Sequence, residues 1–330
     1  MRKGWTSGNL LAAARSYQPA CVLFAAADLD IFSVLSKESM TADAVAKKVR
    51  ADVRATGAIL DVLATLKLLT KRNGRYRASA DIAKLLADNS PKSVLPMVRH
   101  QANCLRRWVQ LAEVAKSGKP AKWTPSIRGA VADEAAFIGA MDNVSDPIAA
   151  EIVSELKSLR FGRLLDIGGA SGTWTIAFLR AFGNLTATLF DLPEVIPMAR
   201  QRIAKAGMTK RVTFAAGDFY KNELPKGTDF AWLSAIAHQN SRKQNQRLFS
   251  RIYKALDRDG ILIIRDIVMD ESRIKPEAGA MFAINMLVAT EGGGTYTFSE
   301  YREDLAAAGF SKIVLIRKDE GMKSLIRARK

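Results

Sequence analysis

Five short apolar runs recur between residues 163 and 268, "RLLDI", "TATLF", "RVTFAA", "DFAWLSAI" and "ILIIRDIV", and a segment of helical spacing separates each from the next. Strands that alternate with helices are joined by right-handed crossovers and lie parallel in one sheet. Such strands are covered on both faces, which is why the runs are almost continuously apolar instead of alternating. The pattern therefore predicts an α/β domain with a doubly wound, mostly parallel sheet. Its end differs, because "FSKIVLI" and "MKSLIRAR" are separated only by "RKDEG". Five residues are too few for a crossover helix, so these two runs form a hairpin and add an antiparallel strand.

The N-terminal part follows another pattern. "ADLDIFSVLSKES" predicts a helix, "MTADAVAKKV" a second with Thr41 as its cap, and "DVRATGAILDVLATLKLL" a third. Asn73-Gly74 in "TKRNGRYRAS" then marks a two-residue hairpin. Three helices and a hairpin make a winged-helix-like unit. Its third helix carries Ile59, Leu60, Val62, Leu63, Leu66 and Leu68, an apolar load that suits packing and dimerisation better than DNA binding. Residues 91–160 read as connecting helices broken at "SGKPAKWTPS". The expected organisation is a dimerisation domain over 1–100, connecting helices over 101–158 and a ligand-binding α/β domain over 159–330.

Composition narrows the partners. Cys21 and Cys104 are the only cysteines and stand far from any Cys/His cluster, so buried thiols are expected, with no metal site and no disulfide. The N-terminus starts basic and turns apolar like a secretory signal, but Arg15, Gln18 and Pro19 interrupt the run; a soluble, cytoplasmic chain without a membrane span is expected. The net charge of +17 raises the question of nucleic acid. Residues 1–160 carry 24 Lys and Arg against 15 Asp and Glu, and residues 161–330 carry 26 against 18. An excess spread so evenly reads as solvated surface rather than as a groove for RNA or DNA.

The chemistry sits where strands end. "LLDIGGASGTWTIAFL" puts Gly168, Gly169 and Gly172 between a strand and a helix, a turn in which ligands approach bare backbone. Alone, the turn suits a dinucleotide, a nucleoside or nothing. Asp191 closes the next strand in "LFDLPEV", 19 residues past Gly172, where a carboxylate accepts ribose hydroxyls. Asp218 and Phe219 in "GDFY" follow the third strand, an acid for an adenine amino group and a ring for its face. With Asp166 as a further strand-end acid, the set favours a nucleoside with a cationic amino-acid tail over a pyrophosphate, hence S-adenosylmethionine over NAD.

Taken in order, "LLDIGGASG", "FDLPEVI", "GDFY", the His238 segment, "ILIIRDIVMDE" and "NMLVATEGGGTYTFSEYREDLAAAGF" resemble the S-adenosylmethionine-dependent O-methyltransferases of the caffeate and hydroxyneurosporene type, bacterial branch. The resemblance runs from about residue 20 to the end. It implies a class I methyltransferase fold, a homodimer held by the N-terminal domain, and a small, hydroxylated, often aromatic acceptor. By matching position it implies cofactor contacts at Gly168, Asp191, Leu192, Asp218 and Phe219, with Met141 and Ser145 from the connecting helix. Where plant members carry a lysine four residues before the base, this chain has Ser234, a hydroxyl without the charge. Met286 and Thr290 match acceptor-lining positions, and Phe137, Phe282 and Trp108 are candidates for the pocket wall. Thr295 stands where the plant pattern has an acid.

Transfer of a methyl group from a sulfonium needs no acid for its leaving group, but a phenol of pKa about 10 gains from a base at neutral pH. His238, beyond the fourth strand of the α/β domain, is the candidate, and the resemblance places the family's base there. Asp266 in the neighbouring strand is the expected partner for its ring. His100 reads instead as a helix-surface or pocket-lining residue. Gln239 and Asn240, where plant enzymes carry an acid and a tryptophan, have no evident purpose in the sequence. An RNA methyltransferase and a metabolite-sensing winged-helix regulator are the alternative readings.

Overall fold

The computed structural model describes residues 4–330. They divide into two compact units, the first running to Arg106 and taking in Trp123–Asn143, the second formed by Arg107–Lys122 and Val144–Lys330.

The first unit begins with α1 (Ser7–Arg15), α2 (Tyr17–Asp28), α3 (Ile31–Lys37), β1 (Met40–Thr41), α4 (Ala42–Val49) and α5 (Val53–Thr65). It continues with β2 (Thr70–Arg72), β3 (Arg75–Arg77), α6 (Ala80–Leu86) and α7 (Leu95–Trp108). Thr41 caps α4 by accepting the Ala44 N–H, as the sequence indicates. The hairpin turns at Asn73 and Gly74, with φ of 49° and 71°, the left-handed pair such a turn demands. The helix expected through "ADLDIFSVL" is broken, because Asp30 adopts φ 57° and there accepts from the Ser33 hydroxyl and pairs with Arg99. Ile31, Phe32, Leu35, Val45, Leu60 and Leu63 close the core, whereas Val62 of α5 and Leu66 just after it lie open to solvent.

The N-terminal apolar stretch forms the opening helices of the first unit. The stretch Ser7–Asp28 is a single near-continuous helix of 22 residues, long and apolar enough by length and composition to cross a bilayer. The alanines and leucines on either side of Arg15, Gln18 and Pro19 outweigh those interruptions over a full window. Only 11% of that window is buried, so its apolar surface faces outward.

After α8 (Leu111–Ser117) and α9 (Ala130–Glu155) the second unit supplies β4 (Arg163–Ile167), α10 (Thr173–Ala181), β5 (Thr186–Asp191), α11 (Ile196–Lys205), β6 (Val212–Ala216) and β7 (Thr228–Ser234). Then come α12 (Arg242–Ala255), β8 (Leu256–Asp266), β9 (Val268–Met269), α13 (Glu277–Ala289), β10 (Tyr296–Thr297), α14 (Phe298–Ala307), β11 (Ser311–Arg317) and β12 (Ser324–Arg329). Seven of these strands form one sheet in the order β11-β12-β8-β7-β4-β5-β6. β8, β7, β4, β5 and β6 pair in parallel, and β12 pairs antiparallel with both β8 and β11. The fold is thus the doubly wound α/β sheet with an antiparallel C-terminal hairpin that the sequence indicated. The short parallel pair of β9 with β10 left no readable signal, since two residues carry no periodicity.

Strand side chains alternate between faces. Leu164, Phe230, Trp232, Ile261 and Ile263 pack on one side with Trp174 and Phe178 of α10 and Ile152 and Val153 of α9. Leu165, Ile167, Ala231, Leu233, Leu262 and Ile264 pack on the other with Leu248 and Phe249 of α12 and Leu305 of α14. This two-sided burial fixes which residues at the strand ends face which way.

Candidate active site

At the C-terminal end of β4 the backbone N–H groups of Gly168 and Gly169 donate to the Phe190 carbonyl, and that of Ala170 donates to Asp191 Oδ2 at 2.7 Å. The loop is therefore tied down onto the next strand. Gly168 has φ 67°, and a Cβ there would come within 2.8 Å of Ile236 Cδ1 and 3.8 Å of Phe219 Cε1. The loops after β4, β6 and β7 converge on that bare stretch of backbone. Gly169 is closed by packing, its missing Cβ falling 2.7 Å from Leu189 Cγ. Gly172, at φ 83°, opens α10 without a side-chain cap.

Asp191 accepts the Ala170 N–H with one oxygen and the Leu192 N–H, at 2.7 Å, with the other. Burial raises its pKa against those two bonds. Each oxygen retains a lone pair for a hydroxyl donor. Asp218 accepts the Tyr220 N–H at 2.8 Å and lies 3.3 Å from Lys221 Nζ, while Phe219 stacks at a tilt on Tyr220. Acids and a ring line this edge, and the bare glycine backbone lies between them; the residues present fit S-adenosylmethionine, with its ribose diol, adenine and cationic tail. Leu192 is partly exposed beside Asp191, Ser145 is buried in the second unit, and Met141 belongs to the first.

Asp166 is differently placed from an open strand-end acid. Its side chain is on the α10 face, 1% exposed, and Oδ2 accepts the Thr175 hydroxyl at 2.6 Å. Burial pushes its carboxyl up to about 7. The folded-state value lies above the unfolded one, so the folded chain holds this proton more tightly. Its contribution to stability is fully present below about pH 4 and is lost as pH rises toward 7, at up to about 1.4 kcal/mol per pH unit. Asp166→Asn, which keeps a partner for Thr175, is expected to abolish that decline. Denaturant unfolding of both proteins between pH 5 and pH 7.5 measures it, and parallel curves would refute it.

His238 stands on a short 3-10 turn, Ala237–Gln239, which follows β7 after Ala235 adopts φ 57°. A left-handed alanine costs about 1 kcal/mol, a strain typical of functional turns. The ring is held from two sides. Nδ1 lies 2.8 Å from Asp266 Oδ1, and Phe282 of α13 meets it edge-on at 4.8 Å between centroids. Asp266 also accepts the His238 backbone N–H at 3.2 Å and the Ile267 N–H at 2.8 Å. Nδ1 donates to the carboxylate in this arrangement, which leaves Nε2 as the basic nitrogen.

The two amides after His238 find their purpose in this turn. Asn240, fully buried, accepts the Tyr220 hydroxyl with Oδ1 and donates through Nδ2 to Asn245 Oδ1 at 3.0 Å. Asn245 in turn donates to the Ala237 carbonyl at 2.9 Å, and the Tyr296 hydroxyl donates to the Asn240 carbonyl. Gln239 donates to Tyr220 from the outer side at 3.4 Å. The only sequence signal for this network was the repetition of amides at 239, 240 and 245.

The glycine run "GGG" at 292–294 clamps the same turn. Gly294 donates to the His238 carbonyl at 2.8 Å, and a Cβ on Gly293 would fall 2.6 Å from that oxygen and 2.9 Å from the Gln239 carbonyl. Thr290 accepts the Gly293 N–H and donates to the Met286 carbonyl. Thr295 is buried with its hydroxyl on the Gly279 carbonyl at 3.2 Å. Met286, Phe282 and Asn285, the last accepting from Trp108 Nε1 at 3.0 Å, share α13. Ser234 Oγ accepts from Arg265 Nη1. In the first unit Phe137 meets His100 at 5.2 Å between ring centroids.

Residues 118–311 match the family of O-methyltransferase domains, and residues 14–89 match the O-methyltransferase dimerisation domain, a span that takes in much of the exposed apolar helix. The 3-hydroxy-5-methyl-1-naphthoate 3-O-methyltransferase of Streptomyces sahachiroi is 30% identical over 89% of this chain and 87% of its own. The tetracenomycin polyketide synthesis 8-O-methyl transferase of Streptomyces glaucescens is 30% identical over 93% and 92%. Among solved structures, human N-acetylserotonin methyltransferase in complex with S-adenosylmethionine superposes with a TM-score of 0.83 at 26% identity, over 100% of this chain and 99% of that one.

Proposed function

This chain belongs to the O-methyltransferase family and is an S-adenosylmethionine-dependent methyltransferase, and on that premise we propose that His238 deprotonates a hydroxyl of a small aromatic acceptor. When bound, the cofactor supplies an electrophilic methyl group. The chain's own residues do the rest. Asp266 fixes the His238 tautomer and stabilises the ring once it is protonated; Nε2 takes the hydroxyl proton; Phe282 and Met286 form an apolar wall for an aromatic ring. The observation that carries this reading is the 2.8 Å contact of Nδ1 with a fully buried carboxylate. The two bacterial relatives, one named for 3-O-methylation of a hydroxynaphthoate and the other for 8-O-methyl transfer in tetracenomycin polyketide synthesis, support the acceptor class.

In the same reading, Gly168, Gly169, Gly172, Asp191, Leu192, Asp218, Phe219, Ser145 and Ser234 form the cofactor site, and Thr290 supports the acceptor wall. Two copies pair through the winged-helix-like N-terminal unit, which buries the apolar helix face, and the dimer works in the cytoplasm, where Cys21 and Cys104 stay reduced. Calorimetry with S-adenosylhomocysteine, followed by labelled methyl transfer to a panel of phenols and naphthols, tests the proposal. Binding without transfer to any hydroxyl would reject it.

A further inference from the structure

Arg265 immediately precedes Asp266 on β8, so its side chain projects to the opposite, α10 face of the sheet. There it is 2% exposed. Its guanidinium lies 4.9 Å over the Trp174 ring, Nη1 donates to Ser234 Oγ at 2.8 Å, and Nε is buried with no hydrogen-bond partner among the described residues. Asp266 and Asp319 act on it through space, but neither forms an ion pair with it among the described residues. Burial lowers its pKa to about 10. A buried cation with an open donor and no carboxylate is costly, and an arriving anion offsets that cost.

Its position indicates which anion. Ser234 pairs in register with Arg265, and both point to the side of the sheet that carries Asp166 and the start of α10. Asp266, one residue on, points to the His238 side. The arginine thus belongs to the glycine-loop side of the site and the aspartate to the acceptor side. Because Ser234 Oγ accepts from the guanidinium, its own hydrogen is left to donate.

We propose that Ser234 and Arg265 together receive the carboxylate of the cofactor's amino-acid tail, the hydroxyl donating directly and the guanidinium supplying positive charge behind it. The proposal rests on the cofactor site described above. It identifies an arginine from the neighbouring strand as the source of the charge that a serine at position 234 cannot provide.

The test is titration of the full chain with two ligands, S-adenosylhomocysteine and the same thioether lacking only its carboxyl group. Wild type is expected to prefer the carboxylated ligand by about 10- to 100-fold. Arg265→Met is expected to erase that preference by weakening S-adenosylhomocysteine alone, and Ser234→Ala to narrow it. Equal weakening of both ligands in the variants would mark a structural role and overturn the proposal. So would a wild type without preference, a result that holds even if Arg265→Met fails to fold. A wild type that binds neither ligand would reject the cofactor site itself.

Discussion

His238→Ala is expected to lower kcat for methyl transfer about 100- to 10,000-fold, the range a positioned general base supplies, with cofactor affinity unchanged. Among the described residues the ring is held by Asp266 and Phe282, so its loss leaves the glycine loop and Asp191 in place. The size of the loss should depend on the acceptor. A phenol of pKa about 10 relies on the base at neutral pH, whereas an acceptor already ionised does not. Single-turnover rates for phenols of graded acidity therefore check more than the loss itself: the deficit of the variant should shrink as acceptor pKa falls. A uniform deficit across the series, or none, would remove His238 from proton transfer.

Asp191→Ala is expected to weaken S-adenosylhomocysteine binding by at least about 100-fold, because on the proposed contact two charge-assisted bonds to a ribose diol, at about 1.5 to 3 kcal/mol each, would be lost together. The effect has a second source. The same carboxylate holds the N–H groups of Ala170 and Leu192, so its removal also frees the loop that approaches the ligand. Calorimetry on the variant decides the matter; a loss below about threefold would show that the ribose is held elsewhere.

The sheet, its C-terminal hairpin and the glycine turn were legible in the sequence because each rests on a local pattern: apolar runs, a five-residue gap, glycines between strand and helix. Asp191 and Asp266 were legible for a related reason, since strand ends converge in a parallel sheet. Asn240 and Asn245 were not. Their function depends on Tyr220 and Tyr296 arriving from distant segments, and nothing near 240 announces them. Arg265 was open to misreading for the same cause. In sequence it looks like a partner for Asp266, yet strand alternation sends adjacent residues to opposite faces. Asp166, expected as a ligand-facing acid, lies beneath the loop because Thr175 is one turn along the following helix.

The bond from Gly294 to the His238 carbonyl joins α13 to the turn that carries the base. On the proposed roles, wall and base therefore form one jaw, and an acceptor does not enter by parting them. It follows, on the same roles, that Met286 can be resized to admit a different ring while Asp266 and Phe282 keep the imidazole in its place. On those roles the fold separates choice of acceptor from chemistry, since the wall can change while the base stays held.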